Sequence, residues 1–164
     1  MNNARPDHYI LFMVAGTTYA LPSQDVAHIE MVEQVTRVPN AAPFVDGVVF
    51  SRGQVVPAIN MRARFGFERV AADLRTRLVV VQGAGRSVGL IVDSAREFLL
   101  IPADTIHPPG DALSGTTAQY LEGIATISER LIVVLNLEKL LNSTDPMVAV
   151  RTSAPGEGHG YTQA

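Results

Sequence analysis

The chain has 164 residues, 47% of them apolar and 18% charged, with a net charge of −3 and no cysteine. That length and apolar content suit one domain or two small lobes with a packed core. The charge argues against a general nucleic-acid binder, which needs a concentrated positive face, and the missing cysteines exclude disulfides, thiolate metal sites and cysteine nucleophiles.

Residues 1–8 are polar and lack the apolar stretch of a signal peptide, and no apolar run reaches the roughly 20 residues that span a bilayer. A soluble cytoplasmic protein without membrane insertion is expected. Twelve Arg stand against the single Lys139. Arginine suits planar interface contacts, although compositional bias of the source genome explains the skew as well.

Residues 8–15 read as a strand, 16–18 as a tight turn and 19–21 as the returning strand. Residues 25–32 alternate imperfectly and fit a strand or a short helix. A proline-bounded loop, 38–43, leads to Gly-Val-Val-Phe-Ser-Arg-Gly-Gln-Val-Val-Pro-Ala-Ile-Asn-Met-Arg at 47–62. Its two β-branched runs flank Ser51-Arg52-Gly53-Gln54, where Gly53 supplies the positive φ of a tight reversal. A β-hairpin with Arg52 at its tip is predicted, either facing a partner or merely solvated. Pro57 lacks a backbone donor, which predicts an edge strand or a strand end there. Residues 61–66 read as one helical turn closed by Gly66, and 67–77 as an exposed polar connection.

The pattern then returns. Leu78 to Val81 with Val88-Gly89-Leu90 matches Ile10 to Val14 with Tyr19-Ala20-Leu21, and residues 98–101 read as another short strand. Residues 106–111 form a loop in the place of 38–43. Residues 120–137 form a second hairpin, in which Gly123 and Asn136 stand 76 positions after Gly47 and Asn60. Residues 138–141 begin a short helix. Such a period belongs to a duplicated small domain. Many short strands with frequent turns predict an all-β arrangement of two small barrels, each burying its own apolar face and leaving a partly apolar groove between them. The subdomains are expected near 15–66 and 78–137, within one unit of 8–142, with exchange of terminal segments left open. The composition of 143–164 predicts a disordered tail.

Catalytic signals are missing. His8, His28, His107 and His159 have no metal-ligand spacing. Gly83-Ala84-Gly85-Arg86-Ser87 lacks the Lys and the following helix of a phosphate loop and reads as a hairpin turn. Ser51 lacks a nucleophile elbow. Asp46, Asp93 and Glu122 fall at strand ends, where turn-forming carboxylates are common. No enzyme activity, metal or cofactor is expected, and a small-ligand-binding barrel is the weaker alternative to a binding module.

The order and spacing of several stretches resemble the CheW family from about Tyr9 to Asn142. They include Asp25-Val26-x-x-Ile29, Val35-Thr36-Arg37-Val38-Pro39, Gly47-Val48 through Arg52-Gly53, Val88-Gly89-Leu90-Ile91-Val92-Asp93, Tyr120-Leu121-x-Gly123 and Leu137-Glu138-Lys139-Leu140-Leu141. The resemblance implies two five-stranded SH3-like barrels and a non-catalytic adaptor. Such an adaptor couples the cytoplasmic tip of a chemoreceptor to the regulatory domain of a CheA-type histidine kinase, within rings that include other CheW-like proteins at receptor arrays. It places Val26, His28, Gly47, Arg52 and Phe98 at the receptor contact, and Ile106, His107 and Ala112 near the kinase. An adaptor of a parallel pathway for surface motility or second-messenger control is the alternative. This chain departs from the family pattern at Phe50-Ser51, where Asn-Leu is usual, at His28, where an acidic residue is usual, and at Asn60, where Asp is usual.

Overall fold

Two leading hairpins of alternating, β-branched sequence hold the fold together. In the computed structural model, which describes residues 7–83, 85–110 and 117–141, β1 (His8–Val14) pairs antiparallel with β2 (Thr17–Pro22), and β6 (Arg77–Gly83) with β7 (Arg86–Val92). A 3-10 turn at Ser23–Asp25 precedes β3 (Val26–Met31), so the ambiguous stretch at 25–32 is a strand. β4 (Val45–Ser51) and β5 (Gln54–Asn60) form the predicted central hairpin, followed by α1 (Met61–Arg64) and by Gly66 at φ 90°. The second half adds β8 (Ser94–Leu100), β9 (Ile106–His107), β10 (Leu121–Ile127), β11 (Arg130–Leu135) and α2 (Leu137–Leu141).

The strands form a five-stranded sheet in the order β3-β6-β7-β5-β4 and a six-stranded sheet in the order β8-β1-β2-β11-β10-β9. The architecture is all-β, as expected, with one strand more than two sets of five. The extra strand is the two-residue β9, where the sequence reads as loop. Each leading hairpin lies in the sheet built by the other copy: β1–β2 sits between β8 and β11, and β6–β7 sits between β3 and β5. β5 is internal rather than an edge strand. Its ladder with β7 begins at Ala58, however, so Pro57 falls just before the outer side of β5 needs a backbone donor.

The 76-residue repeat has a chemical cause. Gly47 and Gly123 each sit at a bulge in their hairpin, and each faces the carbonyl of a neighbouring segment. A Cβ on Gly47 would lie 2.0 Å from the Thr36 oxygen, and one on Gly123 would lie 2.5 Å from the His107 oxygen. The same approach lets Thr36 bridge Val48 and lets His107 pair with Ile124, which is why β9 forms. Asn60 and Asn136 also act alike. Asn60 Oδ1 accepts from the Ala63 N–H at 3.1 Å and caps α1, while its Nδ2 donates to Asp46 at 3.0 Å. Asn136 accepts from the Lys139 N–H at 2.9 Å and donates to Glu122 at 2.9 Å. Asp46 and Glu122 thus do more than shape turns, since each holds the asparagine that starts a helix.

Three apolar clusters result. Tyr9, Leu11, Ile101, Ile106 and Ile132 fill the six-stranded sheet, and Val49, Val56, Leu78 and Val80 fill the five-stranded one. The largest cluster joins Phe12, Tyr19 and Leu21 to Val79, Val81, Val88 and Leu90, closed by Met61, Leu137 and Leu140 from the helices. The expected groove between barrels is therefore in large part a packed shared core. Both faces of β6 are buried, because Leu78 and Val80 point into one cluster and Val79 and Val81 into another. At the seam, the Arg64 guanidinium lies 4.4 Å from the Phe44 ring centroid and 4.7 Å from that of Tyr120, and these rings occupy equivalent places in the two copies. Asp93 accepts from Arg62 (2.8 Å to Nη2) and from the Ala15 N–H (2.8 Å), tying α1 to the β1–β2 turn.

Gly47→Ala is expected to destabilise the fold by at least about 3 kcal/mol in denaturant titration, because its Cβ meets backbone that cannot step aside. Gly53→Ala, with open space around its Cβ but φ at 87°, should cost only about 1 kcal/mol.

Candidate functional site

The turn of the β4–β5 hairpin has two residues, Arg52 at φ 48° and Gly53 at φ 87°, between the paired Ser51 and Gln54. These are the angles of a type I′ turn, which matches strand twist and favours Gly or Asn. Arginine in that conformation costs about 1 kcal/mol. Arg52 is exposed and makes no hydrogen bond or ion pair with any described residue.

Beside it the usual binary pattern is inverted. Ser51 is 2% exposed while Phe50 is 74% exposed, and Phe50 pairs across the hairpin with Val55, also exposed. Phe50 and Val55 therefore form an apolar step in water next to a poised cation, the composition of an interface anchor.

Ser51 points inward because it has partners there. Its Oγ donates to Glu30 Oε2 and lies 3.0 Å from His28 Nε2, which is itself 3.1 Å from the same carboxylate oxygen. Glu30 and His28 are two residues apart on β3 and share one side of the strand. The hydrogen bond from Ser51 holds the Glu30 carboxyl below its ordinary pKa, helped by His28 and by the charge of Arg52, against the opposing effect of burial. β3 and β4 are the two edges of their sheet, so these contacts show that the sheet curls until its edges meet. The arrangement is not a nucleophile relay. Serine and carboxylate share one ring nitrogen, whereas a relay needs them on opposite nitrogens, and Ser51 is buried.

The six-stranded sheet has a counterpart. Glu97 on β8 occupies the place of His28 on β3, since Glu97 faces Leu11 and His28 faces Val80 in equivalent hairpins. Glu97 forms a bidentate pair with Arg130 at 3.0 and 3.1 Å, which lowers the Glu97 pKa and raises that of Arg130. Next to it Phe98 is 61% exposed and stacks on His8 with centroids 5.6 Å apart.

Of the receptor-contact residues named from sequence, Val26, His28, Gly47 and Arg52 lie in the five-stranded sheet, and Phe98 lies in the other. His28 and Arg52 are joined through Ser51 and Glu30. Gly47 is buried, and its place is fixed by backbone contact. On the kinase side, His107 is exposed on the edge strand β9, but the Ile106 side chain is 8% exposed and packs in a core. Ala112 lies outside the described residues. Phe50 and Ser51 stand out in the sequence only as departures from the family pattern, while Glu30, which also belongs to the site, is not apparent from motif reading. The spacing of Glu30 from His28 is the one sequence signal for it.

The family model for the CheW-like domain matches residues 8–145. The chain belongs to the CheW-like family. Among its relatives, the chemotaxis protein CheW of Klebsiella aerogenes is 31% identical over 137 residues, covering 84% of this chain and 82% of that protein. CheW of Bacillus subtilis is 29% identical, covering 88% and 93%, and protein FrzA of Myxococcus xanthus is 29% identical, covering 90% and 94%. The crystal structure of the scaffolding protein TtCheW from Thermoanaerobacter tengcongensis superposes with a TM-score of 0.78 at 27% identity, covering 87% of this chain and 97% of that one. Among the described residues, no helix is long and apolar enough to cross a membrane.

Ser51→Ala tests the closing cluster of this CheW-like chain. A carboxyl with a lowered folded pKa stabilises the fold above the ordinary carboxylate range, and that contribution is lost as pH falls through the folded pKa. The variant should be about 1 kcal/mol less stable at pH 7, Glu30 being partly exposed. The gap to the parent should narrow below pH 4.5, the ordinary value for Glu30; denaturant melts at several pH values measure it.

Proposed function

We infer that this chain is a non-catalytic coupling adaptor of a bacterial chemosensory system, docking on the cytoplasmic tip of a chemoreceptor and on the regulatory domain of a CheA-type histidine kinase. The observation that carries the docking site is the inverted tip of the β4–β5 hairpin. There, Phe50 and Val55 face water while Ser51 is buried, and Arg52 is held in a strained left-handed turn with no hydrogen bond or ion pair among the described residues. Backbone strain at an exposed cation persists where the side chain is needed for something other than stability. The surrounding sheets are locked by a shared core, so the tip is presented as a fixed shape and little ordering entropy opposes binding. The partner is accordingly a surface that offers apolar contact beside a carboxylate or carbonyl for the guanidinium.

The kinase contact falls on β9, where His107 is exposed and one strand edge is unpaired among the described residues. The buried Ile106 contributes by holding that strand in place. Work at receptor arrays on the cytoplasmic side of the membrane fits both contacts. The departures at His28, Phe50 and Ser51 favour a second reading, in which the receptor belongs to a parallel signalling pathway of the same cell. Measuring kinase stimulation with the receptors of each pathway in turn separates the two.

Arg52→Asn is the decisive variant, because Asn fits the left-handed position that Arg strains. Binding to a soluble chemoreceptor cytoplasmic fragment, measured by calorimetry, should weaken at least about tenfold, while the melting temperature stays level or rises. Phe50→Ser should weaken binding likewise. Unchanged affinity, or a loss of affinity matched by a loss of fold stability, contradicts the assignment.

A further inference from the structure

The mouth of the six-stranded sheet holds more positive charge than its closure needs. A groove of about 460 Å³ opens there between β1, β2, β8, the tip of β11 and the connection after α1. Arg75, Arg96 and Arg130 line it, and Glu97 is the one carboxylate among its described lining residues, in a chain whose net charge is −3. Arg130 holds Glu97 through Nη1 and Nη2, which leaves its Nε–H without a partner among the described residues. Arg75 reaches Asp73 only at 3.8 Å, with both side chains mostly in water, so that pair holds it weakly. Arg96 is exposed and makes no hydrogen bond or ion pair with any described residue. The strand explains how it comes to face the groove. β8 sets Glu97 opposite Leu11 and Ala95 opposite Phe12, so Arg96 is the extra residue of a bulge. β3 bulges in the same way against β6, with Val26 opposite Val81 and His28 opposite Val80, and there the extra residue is Ala27. Alanine serves the bulge, so the charge at Arg96 is not a requirement of the fold. Below it, Met13 stands two residues beyond the buried Leu11 on the same face of β1, 38% exposed and flanked across the sheet by Thr18 and Ser94.

We propose that this groove is a docking site for an extended acidic segment of a partner protein, in which carboxylates flank an apolar residue. The planar fork of a guanidinium matches a carboxylate, and Arg96 has all of its donors to give. The hydroxyls of Thr18 and Ser94 serve the segment's backbone, and its apolar residue rests on Met13, whose flexible thioether adapts to the shape it meets. A nucleotide fits less well. The one ring among the described lining residues, Phe12, is 1% exposed and offers no face on which a base stacks. A bare phosphate leaves Met13 unused. The groove belongs to the other sheet from the Arg52 tip, and this assignment does not rest on the receptor reading.

The test uses the full chain and a synthetic probe, the end-blocked peptide Asp-Glu-Leu-Glu-Asp, in about 0.15 M salt. NMR follows the Nε resonances of Arg75, Arg96 and Arg130 and the methyl group of Met13. All four should shift saturably with one midpoint, and Arg96→Ala should raise that midpoint at least about tenfold. The variant should melt with the parent, because alanine already fills the matching bulge at Ala27. Arg96→Lys, which keeps the charge and loses the fork, should fall between the two. Glycine in place of the peptide's leucine should weaken binding at least about threefold and remove most of the Met13 shift. A peptide that moves none of these resonances overturns the proposal, as does binding that survives Arg96→Ala. Inorganic phosphate or the peptide Lys-Lys-Leu-Lys-Lys binding as tightly as the acidic probe overturns it as well. If the same resonances move when the protein concentration alone is raised, a second copy of this chain is the occupant and the assignment fails. Shifts centred on Phe50 and Val55 instead place the peptide at the hairpin tip and count against the groove.

Discussion

Burial of both faces of the exchanged hairpins is the constraint on which the rest of this molecule depends. A strand whose alternate residues all face apolar clusters cannot leave its sheet without exposing two cores at once. β6 is such a strand, with Leu78 and Val80 inside the five-stranded sheet and Val79 and Val81 in the shared cluster. β1 does the same from the other side, with Leu11 in one cluster and Phe12 and Val14 in the next. Fully burying one such side chain stabilises by about 1.5 to 3 kcal/mol, so the two sheets behave as one body although each has its own interior. That rigidity presents the hairpin tips as a surface already formed.

Around this frame the two copies solve one closure problem with different chemistry. Each curled sheet has to join its first strand to the tip of its last hairpin. In the six-stranded sheet a bidentate arginine–carboxylate pair, Arg130 with Glu97, makes the join. In the five-stranded sheet the join is made by the buried Ser51 with His28 and Glu30, and the arginine at that tip is left over, facing solvent. A duplicated unit has thus kept its Gly and Asn positions, which backbone contact fixes, while the polar groups at its two mouths have diverged. One mouth is closed by its own arginine–carboxylate pair, and at the other the arginine faces solvent.

The repeat was legible because its markers are backbone requirements. Gly47, Gly123, Asn60 and Asn136 are set by close approach and helix capping, and such positions tolerate few other residues. The all-β class and the Arg52 tip followed from turn chemistry and β-branched runs. The exchange of hairpins was not legible, because alternation says that a strand is buried and is silent about the sheet it joins. Pro57 misled for a related reason, since proline forbids one hydrogen bond at one place and β5 becomes internal one residue later. Phe50, at the end of a β-branched run, lies in water, and Ile106, which the resemblance places near the kinase, lies in a core. Both depend on which way a strand faces at its end, which long-range curling decides.

Hydrogen–deuterium exchange of this chain, alone and with a chemoreceptor cytoplasmic fragment, tests the central claim most directly. The account predicts new protection at the β4–β5 tip, residues 50–55, while the shared core carried by β1, β6 and β7 exchanges slowly and identically in both states. Protection that leaves the tip unchanged, or a core whose exchange shifts on binding, would contradict a rigid doubled module that docks through this hairpin.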